Sequence, residues 1–227
     1  MMVLVLVLHI DFKKNYKVDD FLIYSAYLIL LLNLILYSYS FFRKEKANVF
    51  FVSYLAFSFL LQIYMEIIYF LRGNNLLAIN IFFVGQMILL GLFYNSLMHI
   101  KGQKLFVKTS VIIALMVLGA QFIMDPNQFF KFNLFEITLT SLLIVIFALI
   151  HFYNMLTENK EYYYISIGIV FYLLTSTVLF LVGNLSPELS ADLKYITWML
   201  NAFLIVVYQL FILYDWIKSN PKKGSLV

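Results

Sequence analysis

Long apolar runs alternate with short polar clusters along this chain. Each run is long enough for a helix to cross the hydrocarbon layer of a bilayer, which takes about 20 residues. Charged or turn-forming clusters, such as RKEK at 43–46 and DPNQ at 125–128, separate the runs. The pattern therefore predicts seven transmembrane helices, over residues 20–41, 48–71, 76–98, 105–124, 134–155, 163–184 and 192–214.

Composition supports the same class of protein. The 227 residues are 63% apolar or aromatic and 12% charged, and their mean hydropathy is +0.91. A soluble domain carries about 25% charged residues, and a chain of this length has too little interior to bury so many large apolar side chains. We therefore predict an all-α membrane protein, a bundle of seven transmembrane helices in contact with the lipid bilayer. The chain has no cysteine, which excludes thiolate metal sites and thiol nucleophiles, and we expect neither a metal nor a cofactor.

The apolar runs divide the chain into three parts. These are an N-terminal tail over 1–19, a seven-helix transmembrane domain over 20–216 and a basic tail over 217–227. Asp19 or Asp20 is predicted to cap the first helix, because such residues before an apolar run are typical of a helix N-terminus. The last part is too short for a catalytic domain, so any signalling partner is expected to be a separate cytoplasmic or membrane protein.

The positions of lysine and arginine predict the orientation, because short cytoplasmic loops retain positive charge. With the N-terminus outside, the inner loops and tail hold Arg43, Lys44, Lys46, Lys101, Lys104, Lys160, Lys218, Lys222 and Lys223. The outer loops hold Arg72, Lys131 and Lys194, while Lys13, Lys14 and Lys17 in the N-terminal tail oppose the assignment. We predict an N-out/C-in protein of the bacterial cytoplasmic membrane. The net charge of +4 then reflects topology and contact with anionic lipid, and does not indicate a nucleic-acid partner.

Polar residues inside the predicted spans fall at similar depths. At 1.5 Å per helical residue, Glu66 lies about 8 Å below the outer end of its span, and Gln62 lies one turn deeper on the same helical face. Similar depths follow for Gln86, Thr140, Ser141, Thr175, Ser176 and Asn201, and Asn33 lies a little deeper. An unpaired polar group in hydrocarbon costs several kcal/mol. These groups are therefore expected to converge on a polar chamber in the outer half of the bundle.

From this layer we predict a ligand-binding site formed by Glu66, Gln62, Gln86, Ser176 and Asn201. Glu66 is the predicted charge or proton partner of the ligand, because it is the only acid at that depth. The alternative is that these residues only hydrogen-bond the helices together, at about 0.6–2 kcal/mol each.

Other polar and aromatic residues have structural interpretations. Asn133 and Glu136 fit a capping box at the start of the fifth span. His99 and His151 could share a depth, but a haem or metal site also needs facing imidazoles with supporting groups. Aromatic residues near the predicted inner face indicate an interfacial belt: Tyr37, Tyr39, Tyr94, Tyr153, Tyr208, Tyr214 and Trp216, with Tyr162, Tyr163 and Tyr164. Tyr208 and Gln209 also lie deep enough to line an interior.

The predicted plan resembles the seven-helix membrane input modules of bacterial sensor proteins. The resemblance covers the number of spans, the orientation and the outer polar layer over residues 20–216, and it rests on this plan rather than on a sequence motif. It implies a non-enzymatic protein that binds a small or lipidic ligand and relays binding to a partner. Two alternatives stay open: a small proton-coupled carrier that uses the same chamber, and an intramembrane hydrolase that uses Glu66 and Glu136. A retinal protein is excluded, because residues 195–214 contain no lysine.

Overall fold

The computed structural model describes residues 16–43, 47–157, 159–185 and 191–219. Within these ranges the chain forms seven α-helices and one short 3-10 helix, without a β-strand. The α-helices are α1 (Tyr16–Phe42), α2 (Val49–Phe70), α3 (Leu76–Leu97), α4 (Lys101–Met124), α5 (Leu134–Asn154), α6 (Tyr163–Leu185) and α7 (Ala191–Ser219), and the 3-10 helix is Pro126–Phe130. All seven α-helices contain a stretch long and apolar enough to cross a membrane. The predicted all-α bundle of a multi-pass membrane protein is thereby confirmed.

Some helices extend beyond the predicted spans where charged residues flank an apolar run. α4 begins at Lys101 rather than at 105, and α7 continues to Ser219 rather than ending at 214. A helix continues past the hydrocarbon because its end turns lie among lipid headgroups, where lysine side chains reach water. Hydrophobicity therefore locates the spans more accurately than it locates the helix ends.

The predicted N-cap of the first helix is wrong. α1 begins at Tyr16, so Asp19 and Asp20 lie inside the helix rather than before it. Acidic residues are also favourable within a first turn, near the positive end of the helix dipole. An acid before an apolar run therefore does not by itself mark the first residue of a helix. The rest of the predicted tails, residues 1–15 and 220–227, lies outside the described residues.

Six of the helices close into a ring, and α4 packs outside it. Around the ring the packed neighbours are α1, α2, α3, α5, α6 and α7, and α7 packs against α1 to close it. α4 packs against α3 and α5. It buries only a narrow stripe, Val107, Ala114 and Leu118, so most of its apolar surface faces lipid.

The chain turns at two opposite ends of the bundle. We call the end with the turns at 71–75 and 125–133 the upper end, and the end with the turns at 98–100 and 155–162 the lower end. α1, α3, α5 and α7 run from the upper to the lower end, and α2, α4 and α6 run back. The upper end corresponds to the side that the lysine and arginine pattern predicts to be outside.

Two hydrophobic clusters fill the interior. The lower core includes Phe51, Phe93, Tyr94, Phe147 and Ile212. The upper core consists of Ile23, Ala26, Met65, Ala78, Ile79, Phe83, Ile137, Phe180 and Trp198, with partly buried residues around them. Every helix also carries large apolar side chains on the outside of the bundle, where lipid tails are as apolar as the side chains themselves.

A glycine permits the close packing of α6 against α7. A Cβ atom on Gly168 would lie 2.8 Å from Cβ of Phe211 and 3.2 Å from Cδ2 of Tyr208. Both distances are too short for an ordinary carbon contact. Glycine at 168 therefore lets the two backbones approach, and this approach positions Tyr208 in the interior.

Candidate functional site

A small polar cavity lies inside the ring, between α1, α2, α3, α6 and α7. Its volume is about 30 Å³. Its lining residues are Ala26, Tyr27, Leu30, Tyr54, Ser58, Gln62, Phe82, Tyr172, Ile205, Tyr208 and Gln209. We call this space the interior cavity. A cavity needs at least about 10–15 Å³ to hold one water molecule, so the interior cavity has room for one or two.

The hydroxyl group of Tyr54 is the centre of the hydrogen bonds around the interior cavity. It accepts from Nε2 of Gln86 at 3.3 Å and from the hydroxyl group of Tyr208 at 3.3 Å. The ring of Tyr208 in turn stacks on the ring of Tyr172, with centroids 5.2 Å apart. Helices α2, α3, α6 and α7 thus meet through one connected set of polar and aromatic groups.

Gln62 and Glu66 lie on the upper side of this cavity. Gln62 lines the cavity, and its Oε1 atom is buried without a hydrogen-bond partner among the described residues. Glu66, one helical turn above, is partly exposed, and its Oε2 atom accepts a hydrogen bond of 3.2 Å from the hydroxyl group of Tyr27. Because Tyr27 itself lines the cavity, Glu66 is one hydrogen bond away from the interior.

Ser176 and Asn201 form a second polar pair above the cavity. The hydroxyl group of Ser176 donates to Oδ1 of Asn201 at 2.6 Å, and both residues are buried. Each lies one turn above a lining residue, Tyr172 on α6 and Ile205 on α7. Their side chains are therefore placed at the upper boundary of the cavity.

The five predicted binding residues thus occupy different positions relative to the interior cavity. Gln62 is in its wall, Gln86 and Glu66 bond to tyrosines in its wall, and Ser176 and Asn201 bond to each other above it. Their role in binding stays a prediction.

The polar layer is narrower than the sequence predicts. Thr140 and Ser141 are buried on α5, but the lining residues of the interior cavity come from other helices. The hydroxyl group of Thr140 donates to the carbonyl oxygens of Glu136 and Ile137 on its own helix. A buried threonine in a helix satisfies its hydroxyl group locally in this way. Residues at a similar depth in the membrane therefore need not line the same cavity.

Hydrogen bonds between α1 and α7 continue from the cavity to the lower end. Nδ2 of Asn33 donates to the backbone carbonyl oxygen of Gln209 at 2.9 Å and to Oε1 of Gln209 at 3.0 Å. Below them, the hydroxyl group of Tyr37 lies 3.4 Å from Oδ2 of Asp215. Nε1 of Trp216 donates to Oγ of Ser40 at 3.0 Å. We call these three residue pairs the α1–α7 ladder.

Asp215 also ties the ladder to α6. Its Oδ1 atom accepts a hydrogen bond of 3.1 Å from the backbone N–H of Tyr164, in the first turn of α6. The first N–H groups of a helix have no partner within the helix, and a carboxylate is the favoured partner there. The sequence gives no local signal of this role, because the carboxylate comes from a residue 51 positions away.

The predicted aromatic belt is wrong for several of its members. Tyr39, Tyr153 and Tyr214 are exposed as expected, but Tyr37, Tyr94 and Tyr208 are nearly fully buried. Tyr208 lines the interior cavity with Gln209, which is the other position that their depth allowed. The hydroxyl group of Tyr94 donates to Oγ of Ser166 at 3.3 Å, and the other buried hydroxyl groups also have partners. A tyrosine that finds a polar partner inside the bundle is not restricted to the headgroup level.

The predicted capping box at α5 is half formed. Oδ1 of Asn133 accepts from the backbone N–H of Glu136 at 3.2 Å, as an N-cap should. The Glu136 side chain does not complete the box, because both carboxyl oxygens are buried without a hydrogen-bond partner among the described residues. Glu136 is fully buried and is therefore more isolated from solvent than Glu66, which is the reverse of the sequence-based expectation.

His151 has ordinary surroundings. Nε2 of His151 lies 2.9 Å from the carbonyl oxygen of Glu161, and the ring of His151 contacts the ring of Tyr94. In the ranges that the structure describes, no three metal-ligating side chains come together.

A larger depression is found on the outside of the bundle, between α4 and α5. Its volume is about 440 Å³, and it is lined by Gly102, Gln103, Phe106, Ile146, Leu149, Ile150 and Tyr153. It is open and mostly apolar, so it is a lipid-facing groove at the edge where α4 packs loosely. The interior cavity, although smaller, is where polar groups converge, and we take it as the candidate site.

Comparison of the chain with protein-family models, with curated proteins and with solved structures finds no match.

Proposed function

We propose that this protein is a non-enzymatic membrane sensor that binds a small or lipidic ligand at the interior cavity and relays binding to a separate partner protein. One observation carries the proposal: the cavity is lined by α1 and α7, and the same two helices are joined below it by the α1–α7 ladder. A change in the cavity therefore has a direct physical connection to the lower end.

The size of the cavity favours a conformational response. At about 30 Å³ it is far smaller than the 300–1,000 Å³ of a typical preformed ligand pocket. A ligand larger than water must push α1 and α2 away from α6 and α7 to enter. Because binding and helix movement are then coupled, the ligand shifts the bundle towards a more open state by its higher affinity for that state.

The lining chemistry indicates a ligand that combines a polar group with an apolar body. Hydroxyl groups of Tyr54 and Tyr208 and amides of Gln62 and Gln209 offer neutral donors and acceptors, while Leu30 and Ile205 offer apolar contact. The free acceptor on Gln62 suits a hydroxyl or amine donor. Glu66 at the upper rim is suited to attract the same donor before it enters.

The relay would run downwards along α7. Movement of Gln209 displaces Asn33, and lower along the same helices it changes the contacts of Asp215 with Tyr37 and with the start of α6. A partner that binds the lower end would experience this as a shift of α7 relative to α1. Packed helices transmit such shifts of about 1–2 Å between discrete arrangements.

The proposed orientation places the upper end outside and the C-terminus inside. Among the described residues that flank the spans, Arg43, Lys101, Lys104, Lys160 and Lys218 are at the lower end, while Lys17, Arg72, Lys131 and Lys194 are at the upper end. This distribution supports a cytoplasmic lower end.

Labelling of single cysteines tests this orientation in a chain that contains no other cysteine. Asn127 and Ser219 are both exposed, at opposite ends. We expect a membrane-impermeant maleimide to label the Asn127→Cys variant in intact cells, and to label the Ser219→Cys variant only after the membrane is broken. The reverse pattern would overturn the orientation.

A thermal-shift screen tests ligand binding. We expect at least one compound from a panel of sugars, amino acids, nucleosides, alcohols and lipid headgroup derivatives to raise the melting temperature of the purified protein by about 5–10 °C at saturation. The Gln62→Leu variant is expected to lose most of this shift, because it removes a polar group from the cavity wall. Gln121→Leu is the matched control, since Gln121 pairs with Asn133 at the upper end, away from the cavity. A shift that survives in Gln62→Leu, or that both variants lose equally, would reject the site.

The carrier alternative uses the same cavity and is distinguished by flux. Its support is the hydrogen bond between Glu66 and Tyr27, which would place a proton-coupling acid at the rim. A ligand found in the screen should not accumulate in proteoliposomes if the protein is a sensor. Accumulation driven by a pH gradient, and its loss in Glu66→Gln, would favour the carrier. The hydrolase alternative has weaker support, because Glu66 and Glu136 lie on α2 and α5, which are not neighbours in the ring.

A further inference from the structure

A second polar centre lies at the upper end, between α3 and α5, and the proposed sensor function does not use it. Its members are Asn80 and Glu136. Both side chains are at least 98% buried, at 2% and 0% exposure. In the part of the chain that the structure describes, Oδ1 of Asn80 and both carboxyl oxygens of Glu136 have no hydrogen-bond partner.

The helix register places these two residues at the same level. α3 and α5 run in the same direction, and the residue numbers of contacting pairs differ by a nearly constant amount. Gly91 meets Phe147, Tyr94 meets His151 and Met98 meets Asn154, at offsets of 56, 57 and 56 positions. An offset of 56 from Asn80 gives Glu136.

The two side chains also share the faces that make these contacts. Asn80 precedes Gly91 by 11 residues, and Glu136 precedes Phe147 by 11 residues. Eleven residues are about three turns of an α-helix, so Asn80 and Glu136 lie on the facing sides of α3 and α5, about 16 Å above the Gly91–Phe147 contact. Their neighbours Ile79 and Ile137 pack together in the upper core.

The donors nearest to this pair on α3 and α5 are engaged elsewhere. Nδ2 of Asn80 points to the carbonyl oxygens of Gln128, Phe129 and Lys131 in the 125–133 turn, at 3.1–3.4 Å. The hydroxyl group of Thr140 bonds to its own helix, and the Asn133 amide exchanges hydrogen bonds with Gln121. Two other buried donors of the upper end, Nδ2 of Asn75 at the start of α3 and Nε1 of Trp198 on α7, also lack a partner among the described residues. Neither of them belongs to the facing sides of α3 and α5 on which Asn80 and Glu136 lie.

No cation among the described residues faces Glu136 from the helices packed against α5. The upper half of α3 contains no titratable residue, and α4 has its lysines, Lys101, Lys104 and Lys108, at the lower end. α6 contributes only tyrosines. In the turn above, Lys131 is exposed and forms an ion pair with Asp125 at 3.8 Å. The hydrogen bond from Gln128 lowers the pKa of Asp125, so Asp125 stays charged and is the partner of Lys131.

We propose that Glu136 is a proton-binding site, in which the neutral carboxylic acid donates its proton to Oδ1 of Asn80. A buried carboxylate without a positive partner is strongly disfavoured, and such a group takes up a proton instead. One proton supplies the missing donor between two acceptors, whereas a hard cation such as Ca²⁺ takes about 6–8 oxygen ligands and the pair offers three.

The proton couples the upper end to the surrounding pH. Asn80 holds the 125–133 turn through Nδ2 and receives the Glu136 proton through Oδ1, so the two contacts share one amide group. Loss of the proton would leave two acceptors facing each other and would expel Asn80 from the pair, which loosens the turn. The structure thus assigns a pH-dependent contact to this end of the bundle.

Infrared spectroscopy tests the protonation directly. We expect the wild-type protein at neutral pH to show a C=O stretching band of a neutral carboxylic acid that is absent in Glu136→Gln. Glu66→Gln is the matched control, because it makes the same change at a partly exposed glutamate, and it should retain the band. If Glu136→Gln does not remove a neutral-acid band, the proposal is wrong.

The pH dependence of unfolding gives an independent measurement. Above the pH at which ordinary carboxyl groups ionise, the unfolded chain releases this proton while the folded chain keeps it, so stability falls as the pH rises. We expect the unfolding equilibrium constant of the wild type to grow by up to about tenfold per pH unit relative to Glu136→Gln. Parallel curves for the two proteins would overturn the proposal. A second outcome would also overturn it. If sodium stabilised the wild type more than potassium or choline did, and Glu136→Gln lost this difference, the site would bind a metal cation rather than a proton.

Discussion

Replacement of Gly168 by leucine is expected to destabilise the bundle by about 3 kcal/mol, at the upper end of the usual range for overpacking. The added Cβ atom would lie 2.8 Å from Cβ of Phe211, which is next to the backbone and cannot swing away as the tip of a long side chain could. The remaining atoms of leucine would then push α7 away from α6. Since Tyr208 is also within 3.2 Å of the new Cβ, the wall of the interior cavity would move with it.

Thermal unfolding in detergent measures this effect, with Gly119→Leu as the matched control. Gly119 is on α4, where an added Cβ atom meets no other atom within 4 Å. Leucine is a better helix former than glycine, by somewhat less than the about 0.8–1 kcal/mol that separates alanine from glycine, so the control should be unchanged or slightly stabilised. Equal melting temperatures for the two variants would contradict the close packing of α6 on α7.

The seven helices were predictable because hydrophobicity and length alone identify a membrane span. Their arrangement was not, because the usual signal for a buried face is missing. In a soluble protein the buried face of a helix is apolar and the other face is polar. Here lipid is as apolar as the protein interior, so both faces of a helix carry apolar residues. On α1, for example, Leu28 faces outwards with 70% exposure and Leu30 faces inwards with 4% exposure, although both are leucines.

The tyrosines show the same limit. Tyr37 and Tyr39 lie two positions apart near the lower end of α1, which places them on opposite sides of the helix. Tyr37 is buried and hydrogen-bonded to Asp215, whereas Tyr39 is exposed and its ring contacts Arg43. Sequence indicates that a tyrosine is near the interface, but only the neighbouring helices decide whether it turns outwards to the headgroups or inwards to a partner.

Glu136, rather than Glu66, is the glutamate buried in the bundle, and the sequence could not show this for a similar reason. Glu66 stands out in the sequence because it interrupts an apolar run, whereas Glu136 sits where a capping box is expected. In the bundle, Glu66 is partly exposed and bonded to Tyr27, while Glu136 is fully buried. Depth along a helix can be counted from the sequence, but the side of the helix that meets a neighbour depends on packing between residues far apart in the chain.

Three buried tyrosines are expected to differ strongly in their contact with water, because two of them line the interior cavity and the third does not. Tyr172 and Tyr208 line the interior cavity, and Tyr94 lies outside its lining with 0% exposure. Water in the cavity would find polar partners on Gln62 and Gln209. Asn33 is bonded to Gln209, and its Oδ1 atom has no hydrogen-bond partner among the described residues. A polar cavity of this size with several partners is expected to be hydrated.

Hydroxyl-radical footprinting by X-ray radiolysis of the purified protein tests the hydrated cavity most directly, because radicals formed from bound water oxidise the side chains beside it. We expect Tyr172 and Tyr208 to be oxidised several-fold faster than Tyr94, and the difference to shrink in the Gln62→Leu variant. Equal, low oxidation of all three tyrosines would mean that the centre of the ring is dry. The proposed recognition site would then be contradicted.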